Sequence, residues 1–228
     1  LVISTEDLSS LADDLLSSSM DTGDGEASLS LISNVMSVFS APVSENGTVV
    51  EKTPEELAAE TALIDNLFAA TMSAASLVGT GSSKAATSQV LGTVSALSAN
   101  PASLSEDSQT GALDLLDNVV GGSASSGIDP DAAASTASAV SSLLDASLFT
   151  SDDTSRRRLN AKAEMGGKMA GTVGSLASGM IATAFGGQSQ GLSTPNLELS
   201  ASRTDCGTRD SFGSGFGLGE GKGGVTAM

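Results

Sequence analysis

Few side chains in this sequence can do chemistry, and their types exclude most active sites. There is no His, Trp or Tyr, and Cys206 is the only cysteine. His is the usual general base near neutral pH and the commonest transition-metal ligand, so Ser–His–Asp and Cys–His catalysis and ordinary zinc sites are excluded. Carboxylates, Ser and Lys remain, but no spacing groups them into a site. We therefore expect a protein that is not an enzyme and has no cofactor or metal.

Two short motifs suggest a ligand, but neither has the context that its ligand requires. Asp21, Asp24 and Glu26 offer oxygen ligands for calcium, yet their spacing is not that of an EF-hand loop. An Asp- and Gly-rich turn is the better interpretation. The string from Gly219 to Gly224 has GxGxxG spacing, but a dinucleotide loop needs a strand before it and a helix after it. We interpret this string as a flexible segment.

Three positions bear on modification or cleavage. Asn46-Gly47-Thr48 is the only N-x-Ser/Thr acceptor, and it falls in a predicted surface loop, so Asn46 is a candidate glycosylation site if the chain is secreted. Arg156-Arg157-Arg158 is the only basic cluster. We expect it in a solvated loop that begins near Ser151, with proteolytic cleavage as the alternative. Cys206 is open between a buried small residue, a free thiol and half of a disulfide.

The charge of the chain bears on its partners. The formal net charge is −17, from 27 acidic and 10 basic residues, which repels nucleic acid and anionic lipid surfaces. We therefore expect no nucleic acid partner. Because we expect no enzyme, we also expect no small-molecule substrate. The expected partners are proteins, either flanking domains of the same chain or an associated channel or filament subunit. Aromatic residues make up only 3%, so the core must consist mainly of aliphatic side chains.

Most of the chain is predicted to be helical. Apolar residues recur at steps of three and four, the period of an amphipathic helix. This predicts helices over about 5–18, 27–40, 54–77, 83–97, 105–120, 129–148 and 165–185. Thr53-Pro54-Glu55-Glu56 has the sequence of a capping box. The residues that we expect to matter most fill the core: Leu67, Phe68, Leu116 and Leu144.

The arrangement of these helices is predicted from their spacing. A helix and loop recur about every 24 residues, which is typical of stacked helical hairpins. The segment from Met169 to Gly187 has no charge, as a membrane helix would, but its Gly, Ser, Thr and Ala content favours close packing in a soluble bundle. Residues 195–201 alternate like a half-buried strand, and 212–224 are Gly-rich. We therefore expect a mainly α fold of antiparallel helical hairpins, with a short β-strand and a Gly-rich segment at the C-terminal end.

Parts of this pattern resemble a known family. The residues are Leu104 to Val120, Ala137 to Leu144, and Leu192 to Leu199. They resemble the helical region of GAIN and egg-jelly-receptor (REJ) modules, which occur in polycystin-1-like proteins and adhesion receptors, and the resemblance covers about 28–201. It implies a helical domain over 1–190. It also implies that 191–228 begin a β-rich subdomain, for which a flexible Gly-rich tail is the alternative.

The resemblance also implies a role. It implies an extracellular helical module of a larger cell-surface protein, which bears or transmits force and meets the membrane only through flanking segments. The family's self-cleavage motif, a His-Leu/Thr step among paired Cys and Trp, has no counterpart here, so no cleavage residues carry over. The alternatives are a subunit of an extracellular appendage or matrix filament, and a largely disordered acidic linker. Because the sequence opens at Leu1 without a signal segment, we interpret it as an excerpt.

Overall fold

The computed structural model describes residues 23–39, 53–78, 83–100, 103–149, 156–203 and 215–217, with the single residues Ser10, Asp14 and Ser17. Within these ranges the fold is mainly α, as expected, and its packed helices contradict the disordered-linker alternative for this part of the chain. The helices are α1 Gly25–Phe39, α2 Pro54–Val78, α3 Lys84–Leu97, α4 Glu106–Ser123, α5 Pro130–Phe149 and α6 Arg156–Thr183. The strands are β1 Ser189–Ser193, β2 Glu198–Ser202 and β3 Gly215–Gly217.

Several helices begin at side chains that cap their free backbone N–H groups. The Thr53 N–H donates to Glu56 Oε2 at 2.8 Å, and the Glu56 N–H donates to Thr53 Oγ1 at 3.3 Å. This confirms the predicted capping box. Ser83 before α3 and Ser105 before α4 each accept the N–H of the residue three positions on, at 3.2 Å and 3.1 Å. These caps fix where α2, α3 and α4 start.

Consecutive helices pack antiparallel to each other. Gly25 at the start of α1 lies against Ala74 and Leu77 at the end of α2. Ile128, just before α5, donates its N–H to the Gly179 carbonyl near the end of α6 at 3.2 Å. The predicted helical hairpins are therefore present.

Alternate helices pack parallel, which makes two layers. Gln89 in α3 donates to Ser30 Oγ in α1 at 2.7 Å, and both side chains lie in the N-terminal half of their helices. Asp114 in α4 pairs with Lys168 in α6, and Gly171 faces Asp117 one turn further along both helices. Packing of α1 on α3, α3 on α5, α2 on α4 and α4 on α6 therefore places the odd-numbered helices in one layer and the even-numbered helices in the other.

A small antiparallel sheet closes the stack beside the last two helices. Strands β1 and β2 form a hairpin in which Ser189 pairs with Ser202 and Ser193 with Glu198. Strand β3 pairs with the other edge of β2. Because β1 packs on α5 and β2 packs on α6, the hairpin covers the last helix of both layers.

The core agrees with most of the sequence expectations. Leu67, Phe68 and Leu116 are buried, with exposed fractions of 0%, 3% and 0%. Leu144 is only half-buried, and the neighbouring Leu143 occupies the core instead. One residue further along a helix turns the side chain by about 100°, so a run of two leucines leaves it open which of them points inward.

The start of α6 corrects one prediction. Arg156-Arg157-Arg158 were expected in a solvated loop, with a helix pattern only from Met165, but α6 begins at Arg156. Arg, Leu, Ala, Lys and Glu all favour helix, and they dominate the segment before Met165. The hydrophilic character that suggested a loop belongs to the first turns of a helix.

The C-terminal strands correct a second prediction. A strand was expected over 195–201, but β2 is Glu198–Ser202, and Pro195 and Asn196 form the hairpin turn. Pro has no N–H for the ladder and a fixed φ that suits a turn. The residue pattern predicted no strand at the positions of β1 and β3, although the resemblance implied that a β-rich subdomain begins at 191. The proposed division between 190 and 191 falls inside β1, and the two-domain organisation stays a prediction.

Candidate functional site

The structure describes only some of the motifs singled out in the sequence. Asn46, Cys206 and the Gly219 to Gly224 string lie outside the described residues, as do most residues of the predicted helix over 5–18. Asp24 Oδ1 accepts the Ala27 N–H at 3.0 Å and so caps α1. The N-cap role supports the turn interpretation of this acidic segment over the calcium one.

Two properties of the described residues bear on metal binding and on membrane insertion. Across these ranges, no group of three or more Cys, Asp or Glu side chains is placed to hold a metal ion. Among the same residues, α2 is the one helix long and apolar enough to cross a membrane by composition, and 33% of its apolar window is buried inside the fold.

A buried polar cluster lies where Asn100 and Ser103, between α3 and α4, contact Glu60 of α2. The Glu60 side chain is 1% exposed. Its Oε1 accepts hydrogen bonds from Asn100 Nδ2 at 2.6 Å and from Ser103 Oγ at 2.7 Å. Asn100 Nδ2 also donates to Ser103 Oγ at 2.8 Å. A buried carboxylate is stabilised by such donors, so these three residues fasten the α3–α4 connection to α2.

A second carboxylate on α2 extends the same contact. Asp65 Oδ1 accepts hydrogen bonds from Ser105 Oγ at 2.6 Å and from Ser108 Oγ. A hydroxyl beside a carboxylate is also the pair that a nucleophile and its base would form. Here, however, Ser105 Oγ already accepts an amide N–H as the cap of α4, and Ser103 beside Glu60 is fully buried. These hydrogen bonds hold the start of α4 against α2.

An ion pair joins α4 to α6 at the surface. Lys168 Nζ lies 2.5 Å from Asp114 Oδ1, and the two side chains are 31% and 47% exposed. The hydrogen bond to Asp114 raises the pKa of Lys168 above its ordinary value. Desolvation opposes this shift, and the charges of Asp114, Glu164 and Asp117 add to it. The Lys168 ammonium therefore stays charged at neutral pH. Its contact with Asp114 shows which positions of α4 and α6 lie side by side.

The junction between the helices and the sheet is the best candidate for a functional region. In the turn between β1 and β2, Asn196 Nδ2 donates to the Ser141 carbonyl of α5 at 3.1 Å and to Ser141 Oγ at 3.3 Å. The Asn196 N–H also donates to Ser141 Oγ at 3.3 Å. Thr194 Oγ1 accepts the Leu197 N–H at 3.1 Å and so closes the turn. The tip of the hairpin is therefore bound to the middle of α5.

The other end of the hairpin is bound to α6. Arg203, just after β2, donates from Nη1 to the Ala184 carbonyl at 3.1 Å, which satisfies a carbonyl at the C-terminus of α6 with a cationic donor. Its backbone carbonyl accepts the Gly187 N–H at 2.7 Å. Leu197, just before β2, and Leu199 and Ala201 on the inward face of β2 join the core shared with the helices. We call this set of contacts the helix–sheet junction.

Sequence reasoning identified part of this junction. It placed Pro195 to Leu199 in the segment that leads from the helices to the sheet, but it did not find Ser141 or Arg203. Ser141 lies 55 residues from Asn196 in the sequence, and one Ser among many gives no signal for such a contact. Comparison with protein-family models, curated proteins and solved structures finds no match for this chain.

Proposed function

We propose that the chain is a non-enzymatic, extracellular helical module of a larger cell-surface protein, with a structural or mechanical role. The observation that carries the proposal is the helix–sheet junction. A load applied to the sheet would pass into both helix layers, because the hairpin is bound to α5 through Asn196 and to α6 through Arg203. The buried side chains of β2 make the same connection through the core.

The surface and the sequence support the remaining parts of this proposal. A net charge of −17 keeps such a module soluble and apart from nucleic acid. The resemblance to GAIN and REJ modules and the acceptor at Asn46 favour an extracellular location. The proposed partners are flanking domains of the same chain, or a channel or filament subunit beside it, with membrane contact only through flanking segments.

The mechanical part of the proposal can be tested by pulling single molecules between the start of α1 and the end of β2. Asn196→Ala removes the side-chain hydrogen bonds to Ser141 and should lower the force at which the hairpin detaches. Asn118→Ala is the matched control, because Asn118 is an exposed Asn on α4, and it should leave that force unchanged. Equal detachment forces for the wild type and Asn196→Ala would contradict a load-bearing junction.

The alternative of a filament subunit makes a different prediction. A subunit that assembles should scatter more light per molecule as its concentration rises, whereas a module of a larger receptor should stay monomeric. If scattering per molecule grows with concentration in both the wild type and Asn196→Ala, the result would favour the filament alternative.

A further inference from the structure

We infer that the free edge of β1 binds an extended segment of a partner protein, which joins the sheet as a further strand. β1 lies at one edge of the sheet, and within the described residues β2 is the strand that pairs with it. The bound segment lies beside β1 and along an exposed strip of α5. We call this surface the β1 edge site. It consists of the outer edge of the β1 backbone and of five α5 side chains: Asp131, Ala134, Ser138, Ser142 and Asp145.

The first argument is the direction of the backbone groups of β1. The Thr194 N–H donates to the Leu197 carbonyl at 2.8 Å, and the Arg203 N–H donates to the Gln188 carbonyl at 3.1 Å. In an antiparallel pair every second residue bonds the neighbouring strand, so positions 188, 190, 192 and 194 turn their backbone groups towards β2. The N–H and carbonyl groups of the residues between them point to the free edge: Ser189, Gly191 and Ser193.

The second argument is that the sequence of β1 does nothing to block a further strand. Edge strands are commonly protected by Lys, by Pro or by inward-pointing charges, and the β1 sequence Ser-Gln-Gly-Leu-Ser contains none of these. Ser189, Gly191 and Ser193 are exposed on the outer face, whereas Gln190 and Leu192 are half-buried on the face towards the helices. A strand beside β1 would cover more of Leu192 and would bond the backbone groups at the edge.

The third argument is the position of the exposed strip of α5. Ser141 contacts the hairpin turn. At about 100° per residue, positions 134, 145, 138, 131 and 142 follow one another from about 20° to about 100° around the helix from Ser141, and all five are exposed or half-buried. The opposite side of Ser141 is buried, with Ala133, Ala137 and Val140 in the core. Because β1 packs on α5 and β2 packs on α6, the exposed strip borders the free edge of β1.

Charge at the two ends of this strip selects the partner. The strip is acidic at Asp131 and Asp145 and uncharged at the three positions between them. The two carboxylates are about 21 Å apart along α5, which is the length of about six residues of a strand. The complementary segment is therefore extended, uncharged in its middle and basic at both ends. A second copy fits poorly, because β1 has no basic residue and two chains of net charge −17 repel each other.

The inference rests on the proposed interaction role and deepens it, because it gives the protein partner a binding surface. It is separate from the load-bearing junction, since the β1 edge site contains neither Asn196 nor Arg203. Failure of the partner site and failure of the mechanical role are therefore distinguishable.

The test uses a synthetic peptide with blocked ends and the sequence KTVSVTK. In an extended conformation its two lysines lie about 20 Å apart on the same face as the valines. When it is added to the nitrogen-labelled full chain, NMR should show the largest amide shifts at Ser189, Gly191 and Ser193. The control peptide ETVSVTE has the same middle and opposite charge, and it should bind about ten-fold more weakly.

Two variants test the backbone contact. Gly191→Pro removes the central N–H of the free edge but no hydrogen bond to β2, and it should weaken binding of KTVSVTK by at least about ten-fold. Gly191→Ala is the matched control, because it keeps this N–H and a Cβ there would meet only the Leu199 carbonyl, at 3.9 Å. It should bind the peptide as the wild type does.

A second pair of variants tests the charges and leaves the sheet unchanged. Asp131→Asn with Asp145→Asn should weaken binding of KTVSVTK by about two- to ten-fold. Asp117→Asn, at an exposed acidic residue of α4, should leave binding unchanged. This pair decides the question if circular dichroism shows that Gly191→Pro does not fold.

Three results would overturn the inference. KTVSVTK that causes no amide shifts in β1 would show that the edge does not accept a strand. Equal binding to Gly191→Pro and Gly191→Ala, both folded, would show that the backbone of β1 is not the contact. Amide shifts in β1 that grow with protein concentration without peptide, together with a dimer in sedimentation, would assign the edge to a second copy.

Discussion

Two glycines on the same helix should respond in opposite directions to the same substitution. A Cβ added at Gly179 would lie 2.6 Å from both Cδ1 and Cγ1 of Ile128, whereas a Cβ at Gly174 would meet nothing within 4 Å. Both glycines lie in α6, so the gain from removing a flexible residue is shared, at about 0.5–1 kcal/mol. Gly174→Ala should therefore stabilise the fold by about that amount.

Gly179→Ala should instead destabilise the fold. Overpacking a filled core costs about 1–3 kcal/mol, and Ile128 is only 2% exposed with its N–H bonded to the Gly179 carbonyl, so it has little room to move. For a chain of this size, each kcal/mol shifts Tm by about 2–4 °C. Thermal unfolding followed by circular dichroism should show Tm rising for Gly174→Ala and falling for Gly179→Ala.

A double variant separates this contact from a general effect of alanine. Ile128→Ala removes the two nearest atoms that a Cβ at position 179 would meet and leaves only the Ile128 Cβ, at 3.3 Å. Alone it should cost about 2–5 kcal/mol. In that background Gly179→Ala should become neutral or stabilising. If Gly179→Ala and Gly174→Ala shift Tm in the same direction in the wild type, the α4–α5 connection does not approach α6 as described.

Three further predictions concern caps and charges. Thr53→Ala should lose about 1 kcal/mol of unfolding free energy in urea, because it removes the cap of α2, and an unchanged midpoint would contradict the capping box. Glu60→Leu should lose about 1–3 kcal/mol, because the buried Ser103 hydroxyl loses its acceptor, whereas Glu60→Gln keeps an oxygen there and should cost less; equal costs would contradict the hydrogen bonds to Oε1. The bond to Asp114 raises the pKa of Lys168 above 10.5. The stabilisation from this pair is therefore fully present below the pKa that Lys168 has in the unfolded chain, and it is lost as the pH rises through the pKa of Lys168 in the folded protein. The difference in unfolding free energy between wild type and Lys168→Met should therefore be constant from about pH 7 to 9 and shrink above 10.5; a decline that begins near neutral pH would contradict this.

The fold could be predicted from the sequence where the signal is periodic. In α6, the periodic pattern predicts five core residues, Met165, Met169, Val173, Leu176 and Met180. The last four are buried and Met165 is half-buried against the core, because steps of three and four keep side chains on one face. On α2 the same pattern included Met72, which is 46% exposed. A helix that packs on several neighbours buries a wide arc, and the edge of that arc is not encoded in the spacing alone.

The junction could be predicted only in part. Pro195 marked a change in local structure, but a proline can begin a strand or occupy a turn, and the sequence favoured the strand. Strand β1 has one large apolar residue, Leu192, in five, too few to produce an alternating signal. The contacts of Asn196 with Ser141 and of Arg203 with Ala184 depend on how α5 and α6 lie beside the hairpin, which is a property of the tertiary structure.

The central claim is that this chain is an extracellular module of a membrane-attached protein. The most direct test is peptide mass spectrometry of the native, full-length parent protein, covering its ends and the Asn46 peptide. The account predicts a glycan on Asn46 and a membrane-spanning segment in the same polypeptide. An unmodified Asn46 in a protein whose peptides include no membrane segment would contradict it and leave a soluble structural protein.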